Sequence, residues 1–131
     1  MKANELRIGN FVLYQEYYIA TVHGITDPDY GNGIHVHYDN VCIGCEHGLI
    51  SGIPLTEEWL RKFGFEDNDY TFDLYIGHRK ISFTWFSRVV STGVRSGFRC
   101  QKYKHIKYVH QLQNLCFALT GNELTIKEEQ Q

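Results

Sequence analysis

The chain has 131 residues, of which 43% are apolar and 15% aromatic, and it carries a net charge of -2. That is ample material for one packed domain or two small lobes sharing a core, and it excludes a disordered chain. No apolar run approaches the roughly eighteen residues of a membrane-spanning helix, and Met1 to Asn10 has no apolar core of the kind a signal peptide needs, so the reading is a cytoplasmic protein whose four cysteines are reduced thiols or metal ligands.

The first third reads as strands. Phe11 to Tyr14 and Tyr17 to Thr26 are rich in aromatic and β-branched residues, with Gln15-Glu16 as a tight connection. Asp27-Pro28-Asp29-Tyr30-Gly31-Asn32-Gly33 is the strongest turn signal in the chain. Ile34 to Tyr38 resumes a strand, with Ile34, Val36 and Tyr38 on one face and His35 and His37 on the other. Short strands around a Gly-rich turn predict a small curled sheet or SH3-like barrel.

A short helix follows, over 56–63. Thr56 suits the N-cap, Glu57 and Glu58 the positive end of the dipole, and Arg61 and Lys62 its negative end. Gly64 fits the left-handed position after the helix, and Phe65 then folds back on Leu60. Trp59, Leu60 and Phe63 form the buried side. Asp67-Asn68-Asp69 breaks the chain before a second set of strands.

From Tyr70 to Ile76, the residues Tyr70, Phe72, Leu74 and Ile76 alternate against Thr71, Asp73 and Tyr75. Gly77-His78 turns into Lys80 to Phe86, where Ile81, Phe83 and Trp85 share a face. A loop over Ser91 to Gly97 precedes a strand from Phe98 to Tyr103. Val109, Leu112, Cys116 and Leu119 recur at helical spacing, joined by Leu115, and Gly121 ends that helix, over 108–120. Leu124 to Ile126 reads as a last short strand, and 127–131 as a frayed tail.

The expected fold is therefore α+β. A β-rich, barrel-like lobe (1–52) is followed by a lobe (53–126) in which a short linking helix precedes antiparallel strands packed on the C-terminal helix.

Two segments carry a resemblance. One is Ile53-Pro54-Leu55-Thr56-Glu57-Glu58-Trp59-Leu60 running on to Lys62-Phe63-Gly64-Phe65. The other is Tyr108-Val109-His110-Gln111-Leu112-Gln113-Asn114-Leu115 running on to Phe117-Ala118-Leu119-Thr120-Gly121. With Leu6-Arg7-Ile8-Gly9-Asn10 they resemble a family of small uncharacterised proteins from gut bacteria, their phages and mobile elements. The resemblance implies a cytoplasmic, mobile-element-borne protein and carries over no catalytic or binding residue.

Three constellations could carry chemistry. His35, His37, Cys42, Cys45 and His47 offer thiolate and imidazole, the ligands of tetrahedral zinc, with a Cys-x2-Cys pair. The spacing is half a zinc motif, and the same residues also suit small core thiols beneath a wet histidine face. The second constellation is basic. Between Gly77 and Asn122 stand eight Lys or Arg and no Asp or Glu, whereas Met1 to Ile76 holds twelve acids against four cations. Within that stretch Arg95 and Arg99 flank a glycine loop, and Lys102, Lys104 and Lys107 lead into the last helix. Cations among aromatic rings are the composition of a single-strand nucleic-acid surface. The competing reading is a solvated sheet face, or one paired with the acidic half of a second copy. The third is the polar set His110, Gln111, Gln113 and Asn114, best read as a half-buried face that fixes how the helix sits.

No phosphate-binding glycine loop or nucleophile elbow is present, and the adjacent Glu57 and Glu58 are explained by the helix start. The functional expectation is thus a non-enzymatic binding or adaptor module, with no cofactor unless the Cys/His cluster holds zinc. Its partner is a protein or a second copy of the chain, with nucleic acid as the alternative, and no membrane is involved.

Overall fold

The alternation of the first third builds a sheet because its two parities differ so strongly. In a computed structural model that describes residues 5–25, 33–38, 41–45, 49–84, 86–94 and 101–127, with Cys42, Cys45 and Val94 described by backbone alone, the chain is α+β. Contacts divide it into two units. Unit 1 comprises Met1–Pro54 and Tyr108–Asn114, and unit 2 comprises Leu55–Lys107 and Leu115–Gln131.

Unit 1 holds β1 (Phe11–Tyr14), β2 (Tyr18–Ile25), β3 (Ile34–Tyr38), β4 (Val41–Cys45) and β5 (Ile50–Ser51). Their order is β4-β3-β2-β1-β5, all antiparallel. The last strand returns to the first, pairing Leu13 with Ser51 and Tyr14 with Ile50, which makes this a half-barrel sheet. Val12, Ala20, Val22, Ile34, Val36 and Ile50 point to one side and, with Leu6, form the core, against which Tyr14, Tyr38 and Ile43 pack. Each of the Val, Ile and Leu side chains among them contributes about 1.5–3 kcal/mol by leaving water. His35 and His37 lie on the opposite face, as alternation predicts. A bulge at His23 shifts the register between Val22 and Gly24.

Strands β4 and β5 have no counterpart in the sequence reading. The first lies in the stretch read for its ligands, and the second is two residues long. The turn expected over Asp27 to Gly33 lies, up to Asn32, outside the described residues.

Unit 2 opens with α1 (Glu57–Lys62). The Thr56 side chain accepts from the Trp59 N–H at 3.4 Å. At the other end the Gly64 N–H donates to Arg61 O and the Phe65 N–H to Leu60 O, both at 3.0 Å, with Gly64 at φ 92°. This is the Schellman closure that Gly64 and Phe65 predict, since only glycine adopts that φ without a Cβ penalty. Trp59, Leu60, Phe63 and Phe65 are all buried.

A five-stranded antiparallel meander follows: β6 (Glu66–Asn68), β7 (Thr71–Ile76), β8 (Arg79–Thr84), β9 (Val89–Val94) and β10 (Gln101–Tyr103). Phe72, Ile81, Phe83, Val90 and Thr92 are buried. Three expectations need correction here. The break expected at Asp67-Asn68-Asp69 falls at Asp69 alone, at φ 60°, because Glu66 to Asn68 form an exposed edge strand on β7. The loop expected from Ser91 is strand β9 as far as Val94, since ladders to β8 and β10 outweigh its Ser, Thr and Gly content. Leu124 to Ile126 pairs with no strand; it is held instead by burial of Leu124 and by the Lys127 N–H donating to Lys62 O at 2.6 Å. Trp85, residues 95–100 (with the first half of the strand expected from Phe98 to Tyr103, whose second half is β10) and residues 128–131 lie outside the described residues.

The last helix, α2 (Val109–Thr120), is where expected. Val109, Leu112 and Cys116 are fully buried, and Gly121 at φ 73° closes it by donating to Phe117 O at 2.8 Å. The unit boundary falls within it, between Asn114 and Leu115. No helix among the described residues is long and apolar enough to cross a membrane.

Candidate functional site

Alternation along β1 to β3 does more than fill a core: at one end of the unit 1 sheet it gathers tyrosines. Tyr14 pairs with Tyr18 across the β1–β2 connection. The Tyr18 ring lies 4.7 Å from that of Tyr38 and 5.1 Å from that of Tyr17, the latter edge-on at 83°. Tyr38 in turn pairs with the exposed Val41. Tyr17 is 79% exposed, so its ring serves no core. The connection that presents it is costly. Gln15 and Glu16 stand at φ 53° and 62°, the left-handed region that costs a non-glycine residue roughly 1–2 kcal/mol. Edge-to-face pairs return about 0.5–1.5 kcal/mol each. Rigid aromatic surface on a strained turn is the kind of place where binding residues are found.

A second exposed aromatic pair stands in unit 2, Tyr70 and Phe86, with centroids 6.3 Å apart. Asp69 beside Tyr70 and Arg88 near Phe86 again have positive φ, at 60° and 53°. Among the described residues these two and Gln15-Glu16 are the non-glycine positions with positive φ. All four adjoin exposed rings.

Of the basic positions singled out by the sequence, Lys102, Lys104 and Lys107 are exposed, and Arg95 and Arg99 lie outside the described residues. Lys102 ends a polar row running across the unit 2 sheet by register: Glu66, Asp73, Ser82, Ser91, Lys102. At its middle Asp73 is only 3% exposed. It accepts from Ser82 Oγ at 2.6 Å and from Asn68 Nδ2, and Lys80 Nζ stands 3.7 Å away. Burial pushes this carboxyl up, but the hydrogen bonds from Ser82, Asn68 and Thr71 and the charge of Lys80 outweigh it and hold it below its ordinary value. A buried, ionised Asp on the parity opposite Phe72 and Leu74 is what periodicity alone misses, because its Ser82 partner is set by strand register.

The Cys/His cluster is only partly visible. His35 and His37 share a face, Cys42 stands opposite His37 and Cys45 opposite Ile34 in the register, and His47 lies outside the described residues. The described His37 ring is stacked on His23 at 4.0 Å and 13°. No group of three or more metal-capable side chains occurs among the described residues.

The polar set on α2 has a structural task within unit 1. Gln113 accepts from the Phe11 N–H at 2.9 Å and donates to Gly9 O at 3.2 Å. Asn114 accepts from Arg7 Nε at 3.0 Å and Asn10 Nδ2 at 2.9 Å, and donates to Glu5 O at 3.0 Å. Gln111 accepts from the Tyr108 N–H and so caps the helix start. His110 is buried, and its Nδ1 has no hydrogen-bond partner among the described residues. Burial holds its imidazole below the usual histidine range, partly opposed by Glu5. A Cβ at Gly52 would meet the Tyr108 ring at 2.7 Å and His110 at 3.2 Å, so only glycine lets the backbone pass under these rings. In unit 2 the Cys116 thiol is buried and pushed up to about 12, which leaves it unreactive.

A shallow cleft of about 230 Å³ in unit 2 is lined by Phe63, Leu74, Tyr75, Leu124 and Lys127 among others. It gathers no set of nucleophile, base and oxyanion donor. Comparison with protein-family models, with curated proteins and with solved structures found no match to this chain.

Proposed function

We propose that this protein is a non-enzymatic binding module that docks a protein partner, a second copy of the chain foremost, through the tyrosine end of unit 1. The observation that carries the reading is the exposed Tyr17–Tyr18–Tyr38 cluster set on the strained Gln15-Glu16 connection. Tyrosine offers large, rigid contact area at low entropic cost, which is why it dominates protein interfaces. Charge supports a second copy. Unit 1 contains two Lys or Arg and six Asp or Glu, whereas unit 2 contains eleven and nine, so each unit's surplus complements the other's.

The strand order β5-β1-β2-β3-β4 supports an SH3-like barrel for unit 1, a scaffold that presents its loops for peptide and protein contact. The Ile53–Phe65 and Tyr108–Gly121 motifs support an origin on a bacterial or phage mobile element and a cytoplasmic location. Light scattering across protein concentration tests the proposal. The mass of the native chain should rise with concentration, and Tyr17→Ser with Tyr18→Ser should return it to that of the monomer. A photo-crosslinker at position 17, used in cells, identifies a different protein partner by an adduct of discrete mass. Monomeric mass at every concentration together with no discrete adduct would overturn the proposal.

A further inference from the structure

Register places two aromatic turns and a strand end together in unit 2. Thr71 pairs with Thr84 and Thr84 with Val89, so Asp69-Tyr70 and residues 86–88 leave the sheet at the same end. Tyr103 pairs with Val90, so β10 also finishes there and delivers Lys104 and His105. Phe86 is 83% exposed and Tyr70 68%, with rings tilted by 34°. The Arg88 N–H donates to Thr84 O at 2.8 Å, which ties the second turn to its strand.

Several charges of unit 2 are paired, whereas Arg79 and Lys102, like the cations at this end, form no ion pair among the described residues. Glu57 pairs with Arg61, Glu58 with Lys62, Asp67 with Arg61 and Asp73 with Lys80. Arg88 and Lys104 are exposed and form no ion pair among the described residues. Asp69 is the carboxylate on the described residues of these turns.

We propose that this end of the unit 2 sheet binds single-stranded nucleic acid, with bases stacked on Phe86 and Tyr70 and phosphates held by Arg88 and Lys104. Two open ring faces on a sheet end give a flexible strand sequence-tolerant stacking, and unpaired cations beside them meet its backbone. A duplex keeps its base faces internal and cannot use the rings. Its residues all belong to unit 2 and those of the tyrosine cluster to unit 1, so either reading stands without the other.

Fluorescence anisotropy with a labelled oligothymidylate of roughly twelve nucleotides tests this on the whole chain at about 50 and 200 mM salt. Binding should be present at the lower salt and fall steeply at the higher. Phe86→Ala and Tyr70→Ala should each weaken it by about 5- to 150-fold, the range for loss of one stacked base. Arg88→Gln should lower the slope of log K against log salt by about 0.7. An abasic strand of equal length should bind more weakly than oligothymidylate. The proposal is overturned by no binding at the lower salt, by equal affinity for the abasic strand, or by ring variants that bind as the native chain does while their circular dichroism is unchanged. Tyr17→Ser and Tyr18→Ser, which test the protein-docking reading, should leave this binding intact.

Discussion

Unit 1 and unit 2 each contain a five-stranded antiparallel sheet and part of α2, but they bury polar groups differently. Unit 1 buries neutral ones: Asn10, Gln113 and His110. Its amides satisfy the backbone that leads into β1, so the polar interior acts as a latch between distant parts of the sequence. Unit 2 buries a charge, Asp73, whose partners Asn68, Thr71, Ser82 and Lys80 come from β6, β7 and β8. The lesson is one of reach. The amides in unit 1 tie sequence positions about a hundred residues apart, whereas the Asp73 network binds only neighbouring strands. Both units present exposed rings on left-handed turns, and these differ in their charge setting.

This contrast can be broken most forcefully at Phe63, which is fully buried in unit 2. Phe63→Ala should cost about 3–5 kcal/mol. Native-state hydrogen exchange should show the loss first in α1 and in β7 to β9; equal loss across β1 to β3 would abolish the distinction between the units. Gln113→Ala should remove about 1–3 kcal/mol by leaving the Phe11 N–H and Gly9 C=O without their partner, with the loss read at the amides of β1.

Acid should separate the units further. The His110 imidazole is held below its ordinary value, so its neutral form favours the fold. That contribution is fully present above about pH 6.5, the ordinary histidine value, and is lost as pH falls below it towards the folded value. Asp73 is also depressed, so its contribution is present above about pH 4 and disappears only at lower pH. Stability of His110→Phe compared with native chain should therefore show a smaller decline between about pH 6.5 and 5. An unchanged decline would assign the effect to other histidines. Thr56→Ala should cost about 1 kcal/mol through loss of the α1 cap, measured by chemical denaturation. The smallest effects on stability, within about 0.5 kcal/mol, are expected for Tyr17→Ser and Phe86→Ala, because neither ring packs in a core. Those two variants should change binding instead.

Helix α1 was legible in full, from the Thr56 cap to the Gly64 closure, because every signal acts within a few residues. Strands β1, β2, β3, β7 and β8 were legible because one parity is apolar. Strands β4, β5, β6 and β9 were not, since β5 is two residues long, β6 is wholly exposed and β9 contains Ser, Thr and Gly. Each exists because a neighbouring strand offers its backbone. For the candidate sites, Tyr17 and Tyr18 could be read as exposed from their place beside a tight connection. Phe86 was read only as the end of the strand from Lys80, although its parity is opposite to that of Ile81 and Phe83.

The sequence by itself therefore determined the local elements, the parity of the long strands and the uneven distribution of charge, all of which follow from residue type and short spacing. Only the tertiary structure decided which polar groups are buried, returned Tyr108–Asn114 to the first unit, and set Tyr70 beside Phe86. Those outcomes depend on strand register and on contacts between residues far apart in the chain, and neither is written in any short stretch of sequence.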